Sequence, residues 1–175
     1  MVHQARLLTA LVVSVAVSIA TGCGDDAAPA GAEAFVDRIC RSISTIANRT
    51  TETQLALTTL DGAGRGRLDG LLAELSGSVQ AARSEVGAGG TSLPAESTAP
   101  LLAALGRFES GLGSMRRDLA TVDSSRPGAN QALADLATRL VDLTTGLAAG
   151  LDVLQAPGLQ DAWRTSAACR PLRGE

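Results

Sequence analysis

The spacing of apolar residues along the middle of this chain is the feature that most narrows the folds open to it. Apolar side chains recur there at alternating steps of three and four, which is the spacing of a helix that buries one seam. Four such stretches lie at about 33–60, 66–86, 98–122 and 128–155. The pattern therefore predicts four amphipathic helices joined by shorter connections.

Each predicted helix has an apolar seam of its own. The members of the second seam are Leu68, Leu72, Leu75, Val79, Ala82 and Val86. The first seam has a polar middle at Thr50 and Thr53, which is its weak point. The first seam ends at Leu60, the third at Val122 and the fourth at Leu154.

The composition agrees with helices and disfavours a sheet. The chain holds two Phe, one Trp and no Tyr, whereas strands are enriched in aromatic and β-branched residues. The connections at 61–66, 87–94 and 123–130 are rich in Gly, Pro and Ser, as turns require. Four helices with short connections pack best up-down-up-down. We therefore predict an all-α, up-down-up-down four-helix bundle over residues 34–172, after an N-terminal signal helix.

The first 26 residues read as an export signal that ends near a cysteine. Arg6 supplies a basic start, and an apolar run follows from Leu7 to Ala20. This run is too short to span a bilayer comfortably but is typical of a signal peptide. The polar residues after Cys23 cannot continue an apolar helix. An ordinary secretory signal with an incidental Cys23 and a retained membrane helix are the alternatives.

The segment from Ala20 to Cys23 reads Ala-Thr-Gly-Cys and resembles the lipobox of bacterial lipoprotein precursors, although that family prefers Leu in place of Ala20. The resemblance implies removal of a signal peptide, 1–22, and acylation of Cys23, for example with palmitate. It also implies a tether over 23–33 and a place on the extracytoplasmic side of the cell membrane. The remainder resembles small helical lipoproteins of actinobacteria, without assigned function, in architecture and composition alone.

The chain has three cysteines, at Cys23, Cys40 and Cys169. If Cys23 carries lipid, only the other two remain to pair, and an exported compartment permits disulfides. In the predicted topology, Cys40 near the start of the first helix shares a pole with Cys169 on the C-terminal tail, which Pro157 and Gly158 turn back. We predict a Cys40–Cys169 disulfide. Two buried thiols or a metal site are the alternatives, and two distant cysteines without histidine make a poor ligand set.

The chain offers little for catalysis. Its one histidine, His3, lies in the predicted signal, so the mature chain would lack the usual general base and zinc ligand. Asp135 and Asp142 are one heptad apart, and both positions fall on the solvent face of the fourth predicted helix. A net charge of −3 argues against a nucleic-acid partner. We therefore expect no enzyme, no cofactor and no metal site.

Five arginines are expected at the pole away from the membrane, namely Arg65, Arg67, Arg116, Arg117 and Arg126. Arginine suits bidentate recognition of carboxylates and phosphates. One interpretation is therefore a surface that recognises an anionic polymer or an acidic protein of the envelope. Aspartates lie nearby in the sequence, so the other interpretation is a solvated surface whose charges neutralise one another.

Internal glycines are frequent in the third and fourth predicted helices. Gly146 and Gly150 have the GxxxG spacing, which in a membrane indicates closely paired helices. In a helical bundle outside a membrane the spacing has two interpretations. It marks either a tight helix crossing or a groove that accepts a ligand or a partner helix.

Three functions remain open. The first, which we favour, is a non-enzymatic module that binds a partner of the envelope while its lipid anchor holds it at the membrane. The second is a carrier of an apolar small molecule or lipid in the bundle core, since ligand sites in bundles lie between facing helices. The third is an accessory subunit of an envelope enzyme. A cavity between helices would favour the carrier, and an exposed apolar patch would favour the interaction module.

Overall fold

The computed structural model describes residues 31–58, 64–89, 98–123 and 128–175. Every regular element in these ranges is a helix, so the prediction of an all-α fold is confirmed. None of the helices described is both long enough and apolar enough to cross a bilayer.

Several predictions concern residues outside these ranges. The signal peptide over 1–22, the lipid site at Cys23 and the tether up to residue 30 are among them. So are the seam residue Leu60 and the fifth arginine of the predicted cluster, Arg126.

Four long helices account for most of the structure, and their bounds are Ala32–Thr58 (α1), Arg65–Gly89 (α2), Ala99–Thr121 (α3) and Ala129–Gly150 (α4). The first three agree with the predicted ranges to within a few residues. The fourth was predicted to run to residue 155, but its α-helical part ends at Gly150. The chain continues as a 3₁₀ helix, Leu151–Gln155, which is a common tighter ending of an α-helix.

The C-terminal tail is more regular than the sequence indicated. It contains two short α-helices, Gln160–Thr165 (α5) and Arg170–Arg173 (α6), with a 3₁₀ helix, Ala167–Cys169, between them. The tail turns at Gly158, whose φ of +89° is a conformation that glycine adopts without steric cost. Helix α5 and the second 3₁₀ helix then pack against α1.

The apolar seams form the core. All six residues of the second seam are buried, and Leu154 remains buried within the 3₁₀ extension of α4. Val122, at the end of the third seam, is half-buried. The polar middle of the first seam is buried as well. The Thr53 hydroxyl donates to the carbonyl oxygen of Arg49 at 2.8 Å, whereas the buried hydroxyl of Thr50 has no hydrogen-bond partner.

Contacts between neighbouring long helices run in reversed order. Between α2 and α3, Asp69 pairs with Arg116 and Arg83 pairs with Glu109, so a later residue of one helix meets an earlier residue of the other. Helices α1 and α2 show the same reversal through the pairs Ser42–Glu85 and Arg49–Glu74. Helices α3 and α4 show it through the pairs Asp118–Arg139 and Ala104–Gly150. Helices α1 and α4 are also in contact.

A disulfide joins the tail to α1. It links Cys40 to Cys169, the pair predicted from the sequence, across a sequence separation of 129 residues. Both cysteines are fully buried, in the same apolar cluster as Phe35 and Trp163. The hydroxyl of Ser166 adds a polar link to α1, because it donates to the Asp37 carboxylate at 3.0 Å.

Candidate functional site

Helices α3 and α4 approach closely because two glycines lie where they meet. A Cβ atom on Gly150 would lie 2.5 Å from the Cβ of Ala104, and one on Gly111 would lie 2.5 Å from both methyl carbons of Leu143. A larger side chain at Gly150 would push the helices apart, whereas one at Gly111 would first displace the end of the Leu143 side chain. Gly146 differs, since a Cβ there would meet no atom within 4 Å. The tight-crossing interpretation of the GxxxG spacing thus fits Gly150, and open space adjoins Gly146.

A groove of about 320 Å³ lies in this region. Its apolar lining comes from both helices and comprises Ala104, Phe108, Gly111, Met115, Leu143 and Gly146. The α3 side extends from Ala104 to Met115, which at 1.5 Å per residue corresponds to about 16 Å. Phe108 and Met115 are themselves almost completely buried, so they form the bottom of the groove rather than its edge.

Four polar side chains complete the lining of this groove, namely Arg107, Ser114, Arg139 and Asp142. Arg139 forms an ion pair with Asp118. Arg107 is exposed and makes no ion pair within the described part of the chain. Asp142 is exposed, as the sequence predicted for it and for Asp135. The groove therefore combines an apolar floor with a charged rim, on which Arg107 is the cation without a partner.

Two of the predicted arginines make contacts within the protein. Arg65 donates to the backbone carbonyls of Ala120 and Val122, at the C-terminal end of α3. Carbonyls at a helix end have no partner within the helix, so Arg65 satisfies two of them. Arg116 binds both carboxylate oxygens of Asp69, with N···O distances of 2.9 and 3.3 Å. These contacts favour the neutralised interpretation at these two positions.

The remaining described arginines of the cluster, Arg67 and Arg117, are exposed. Neither makes an ion pair within the ranges that the structure describes. Arg67 lies at the start of α2 and Arg117 near the end of α3, close to the Asp69–Arg116 pair that joins these helices. A recognition surface for an anionic partner in this region would therefore depend on Arg67 and Arg117.

The ion pairs between α2 and α3 lower the pKa values of their carboxylates. Hydrogen bonding from Arg116 lowers the pKa of Asp69. Hydrogen bonds from Gln80 and Arg83 lower the pKa of Glu109. Because these pKa values lie below those of free carboxylates, the contacts stabilise the fold at neutral pH. That stabilisation is lost as the pH falls through the lowered pKa values, and it is small for exposed pairs.

The role of Arg65 leads to a test by substitution. We expect Arg65→Ala to lower the free energy of unfolding by about 1 kcal/mol, because two carbonyls at the end of α3 lose their charged donor. The matched control, Arg67→Ala, should change it by less than about 0.5 kcal/mol, as is usual for exposed side chains. Urea unfolding of both variants measures the difference. Equal stabilities would show that the Arg65 contacts contribute nothing to the fold.

The potential metal ligands and the exposed apolar residues of the described part of the chain do not indicate a site. No group of three or more His, Cys, Asp or Glu side chains is placed there to hold a metal ion. Two large apolar side chains are exposed, Leu55 in α1 and Val141 in α4. Single exposed apolar residues are ordinary for a protein surface and do not by themselves mark a docking patch.

In comparisons with protein families, curated proteins and solved structures, nothing matches this chain. A groove was one of the two interpretations that the sequence offered for the Gly146–Gly150 spacing, but the sequence indicated neither its place between α3 and α4 nor its lining. The available signal was that small residues recur on both α3 and α4, but it did not indicate which of them face each other.

Proposed function

We propose that this chain is a lipoprotein of the cell envelope that acts by binding and not by catalysis. In this proposal the lipid on Cys23 holds the protein on the extracytoplasmic side of the cell membrane, and the helical unit presents its binding site to the surroundings. The observation that carries the binding function is the groove between α3 and α4, with its apolar floor and charged rim. The lipobox resemblance supports the anchor.

We further propose that the four long helices form an up-down-up-down bundle. The reversed order of contacts between neighbouring helices supports this topology. The start of α1 and the end of α4 then share one pole with the Cys40–Cys169 disulfide. Because the tether joins the start of α1, this pole faces the membrane, and Arg67 and Arg117 lie at the opposite pole.

The groove also changes where a carried ligand would bind. A carrier was predicted to hold its ligand in the bundle core, where the seams meet. The concavity between α3 and α4 lies instead beside the core, with buried Phe108 and Met115 beneath it. A carried ligand would therefore lie along the surface of two helices and exchange without opening the bundle.

A second candidate function is docking of an anionic partner at the pole away from the membrane. The exposure of Arg67 and Arg117 favours it. The test should use a double variant, Arg67→Glu with Arg117→Glu, because Arg65 is occupied by the end of α3. Loss of partner capture in this variant, with unchanged stability, would support docking, and unchanged capture would contradict it.

Native mass spectrometry of the full-length protein, extracted gently from the membranes of its own host, tests the main proposal. The denatured sample should show acyl chains on Cys23 and a Cys40–Cys169 pair that has lost two hydrogens. The native sample should carry a releasable ligand, and Gly146→Leu should remove it by filling the groove. A protein that is unacylated and bare would overturn the proposal.

The anchor has a matched pair of variants. Cys23→Ser should abolish acylation and leave the signal peptide uncleaved or the protein released from the membrane. Ala20→Leu introduces the residue that lipoboxes prefer, so acylation of this variant should equal or exceed that of the wild type. If the wild type and Cys23→Ser differ in mass only by the cysteine-to-serine exchange, the wild type carries no lipid on Cys23 and the anchor proposal is wrong.

A further inference from the structure

We propose that the α3–α4 groove binds a single-chain amphiphile with an anionic headgroup, such as a long-chain carboxylate, with its headgroup on Arg107. The inference rests on the proposed function, since it names the ligand of the same groove. It is argued from the size of the groove, from its lining and from the uneven distribution of charge along its rim.

The size of the groove limits the ligand to one chain. At about 320 Å³ it lies at the lower end of the range for small-molecule sites. Its length of about 16 Å along α3 suits an extended chain rather than a globular molecule. The two acyl chains of a bilayer lipid would need a wider site, so we infer a free single-chain amphiphile rather than a membrane phospholipid.

The lining of the groove suits an apolar chain. Phe108, Met115 and Leu143 form its apolar floor. Because Phe108 and Met115 are almost completely buried, the partly buried Leu143 offers most of the apolar side-chain surface that a ligand could cover. Gly146 carries no side chain and borders open space, so a chain can approach the backbone of α4 closely, whereas Gly111 is covered by Leu143. Covering these surfaces removes apolar area from water, which is favourable in proportion to the area covered.

The charges on the rim orient the ligand. Because α3 and α4 contact each other in reversed order, Arg107 lies toward the Gly146 end of the groove, and Arg139 lies toward the Met115 end. The charge of Arg139 is compensated by Asp118, and Asp142 adds a negative charge on the Arg139 side of Gly146. The Arg107 end is therefore positive and the other end is neutral or negative.

This asymmetry selects the charge of the headgroup. Arginine binds carboxylates through parallel hydrogen bonds, and Arg107 has no carboxylate partner within the described residues. An anionic headgroup at this end complements Arg107 and avoids Asp142. A cationic headgroup would be repelled by Arg107 at one end of the groove. At the other end, the positive charge of Arg139 lies near Asp142 and weakens its attraction for a cation.

The experiment uses full-length protein in nanodiscs of phosphatidylcholine, which avoids competition from detergent. The probe is dodecanoate with a diazirine on its chain, and mass spectrometry locates the labelled peptides after irradiation. We expect labels on α3 and α4 around Gly111 and Gly146. Unlabelled dodecanoate should prevent the labelling, and dodecyltrimethylammonium should need at least about tenfold higher concentration to do so.

Two variants and two matched controls separate the headgroup from the chain. Arg107→Glu should weaken labelling about tenfold, whereas Arg38→Glu should leave it unchanged, because Arg38 is an exposed arginine of α1 that does not line the groove. Gly146→Leu should abolish labelling. Gly77→Leu is its control, since Gly77 is exposed on α2 and also has no atom within 4 Å of an added Cβ. Circular dichroism confirms that each variant is helical.

The outcomes distinguish the inference from the proposed function. Suppose that Gly146→Leu abolishes labelling, that Arg107→Glu is labelled as strongly as Arg38→Glu, and that both competitors act at the same concentration. The groove then binds chains without selecting an anion. That result overturns the inference and leaves the binding function in place. If labels fall elsewhere and Gly146→Leu behaves as Gly77→Leu does, the groove is not a site, and both are overturned.

Discussion

Replacing both Cys40 and Cys169 with alanine is expected to lower the free energy of unfolding by about 4 kcal/mol. The bridge closes a loop with a sequence separation of 129 residues, which restricts the unfolded chain severely. In the chain-entropy description, closing a loop of this length is worth about 4–5 kcal/mol. Few single contacts in a domain of this size contribute as much.

The same substitution removes the covalent link between the tail and α1. Without it, the tail is held by its apolar packing and by polar contacts such as the hydrogen bond from Ser166 to Asp37. Short helices such as α5 are not stable by themselves in water. We therefore expect α5 and α6 to lose protection from hydrogen exchange before the four long helices do.

Urea unfolding measures the effect, with reductant as the internal control. The wild type unfolded and refolded in reductant should match the double variant, and reductant should not alter the variant. A loss of less than about 1 kcal/mol would mean that the unfolded chain is already compact enough for the bridge to restrict little.

The second large effect is expected from Gly150→Leu, and the same substitution one helical turn earlier, at Gly146, is its control. Gly150→Leu should lower the free energy of unfolding by about 3 kcal/mol, because overpacking a close contact forces the backbone to move. A Cβ at this position would lie 2.5 Å from the Ala104 Cβ, with the Pro100 carbonyl oxygen at 3.7 Å behind it. Neither neighbour is a flexible side chain end that can move aside.

Gly146→Leu is the matched control for this prediction. Its Cβ meets nothing within 4 Å, and leucine is a better helix former than glycine by somewhat less than 1 kcal/mol. The variant should therefore be as stable as the wild type or slightly more so. Thermal and urea unfolding of the two variants should differ by about 3 kcal/mol or more. Similar stabilities would show that α3 and α4 separate at little cost near Gly150.

The helices themselves were predictable because the signal is local. The three-and-four spacing placed every member of the α2 seam in the core, and it did so even for the polar Thr50 and Thr53 of α1. The spacing reports which side of a helix is apolar, and that side is buried against whichever neighbours are present. Long helices repeat this information over several turns.

The groove and the contacts of Arg65 were not predictable in the same way. Gly146 and Gly150 are alike in the sequence, and their difference arises from how far each lies from α3. Arg65 binds carbonyls of residues more than fifty positions away along the chain. The short helices of the tail were also missed, because α5 and α6 are too short for a periodic pattern to develop.

The position of the disulfide determines how the protein would respond to mechanical load. A pull on the chain before Cys40 and after Cys169 passes through the S–S bond, because this bond is the shortest covalent path between the two residues. Tension applied at the two ends therefore bypasses α2, α3 and α4 altogether. Among the described residues, only those before Cys40 and after Cys169 can then be drawn out, so the α3–α4 groove keeps its shape while the ends are strained.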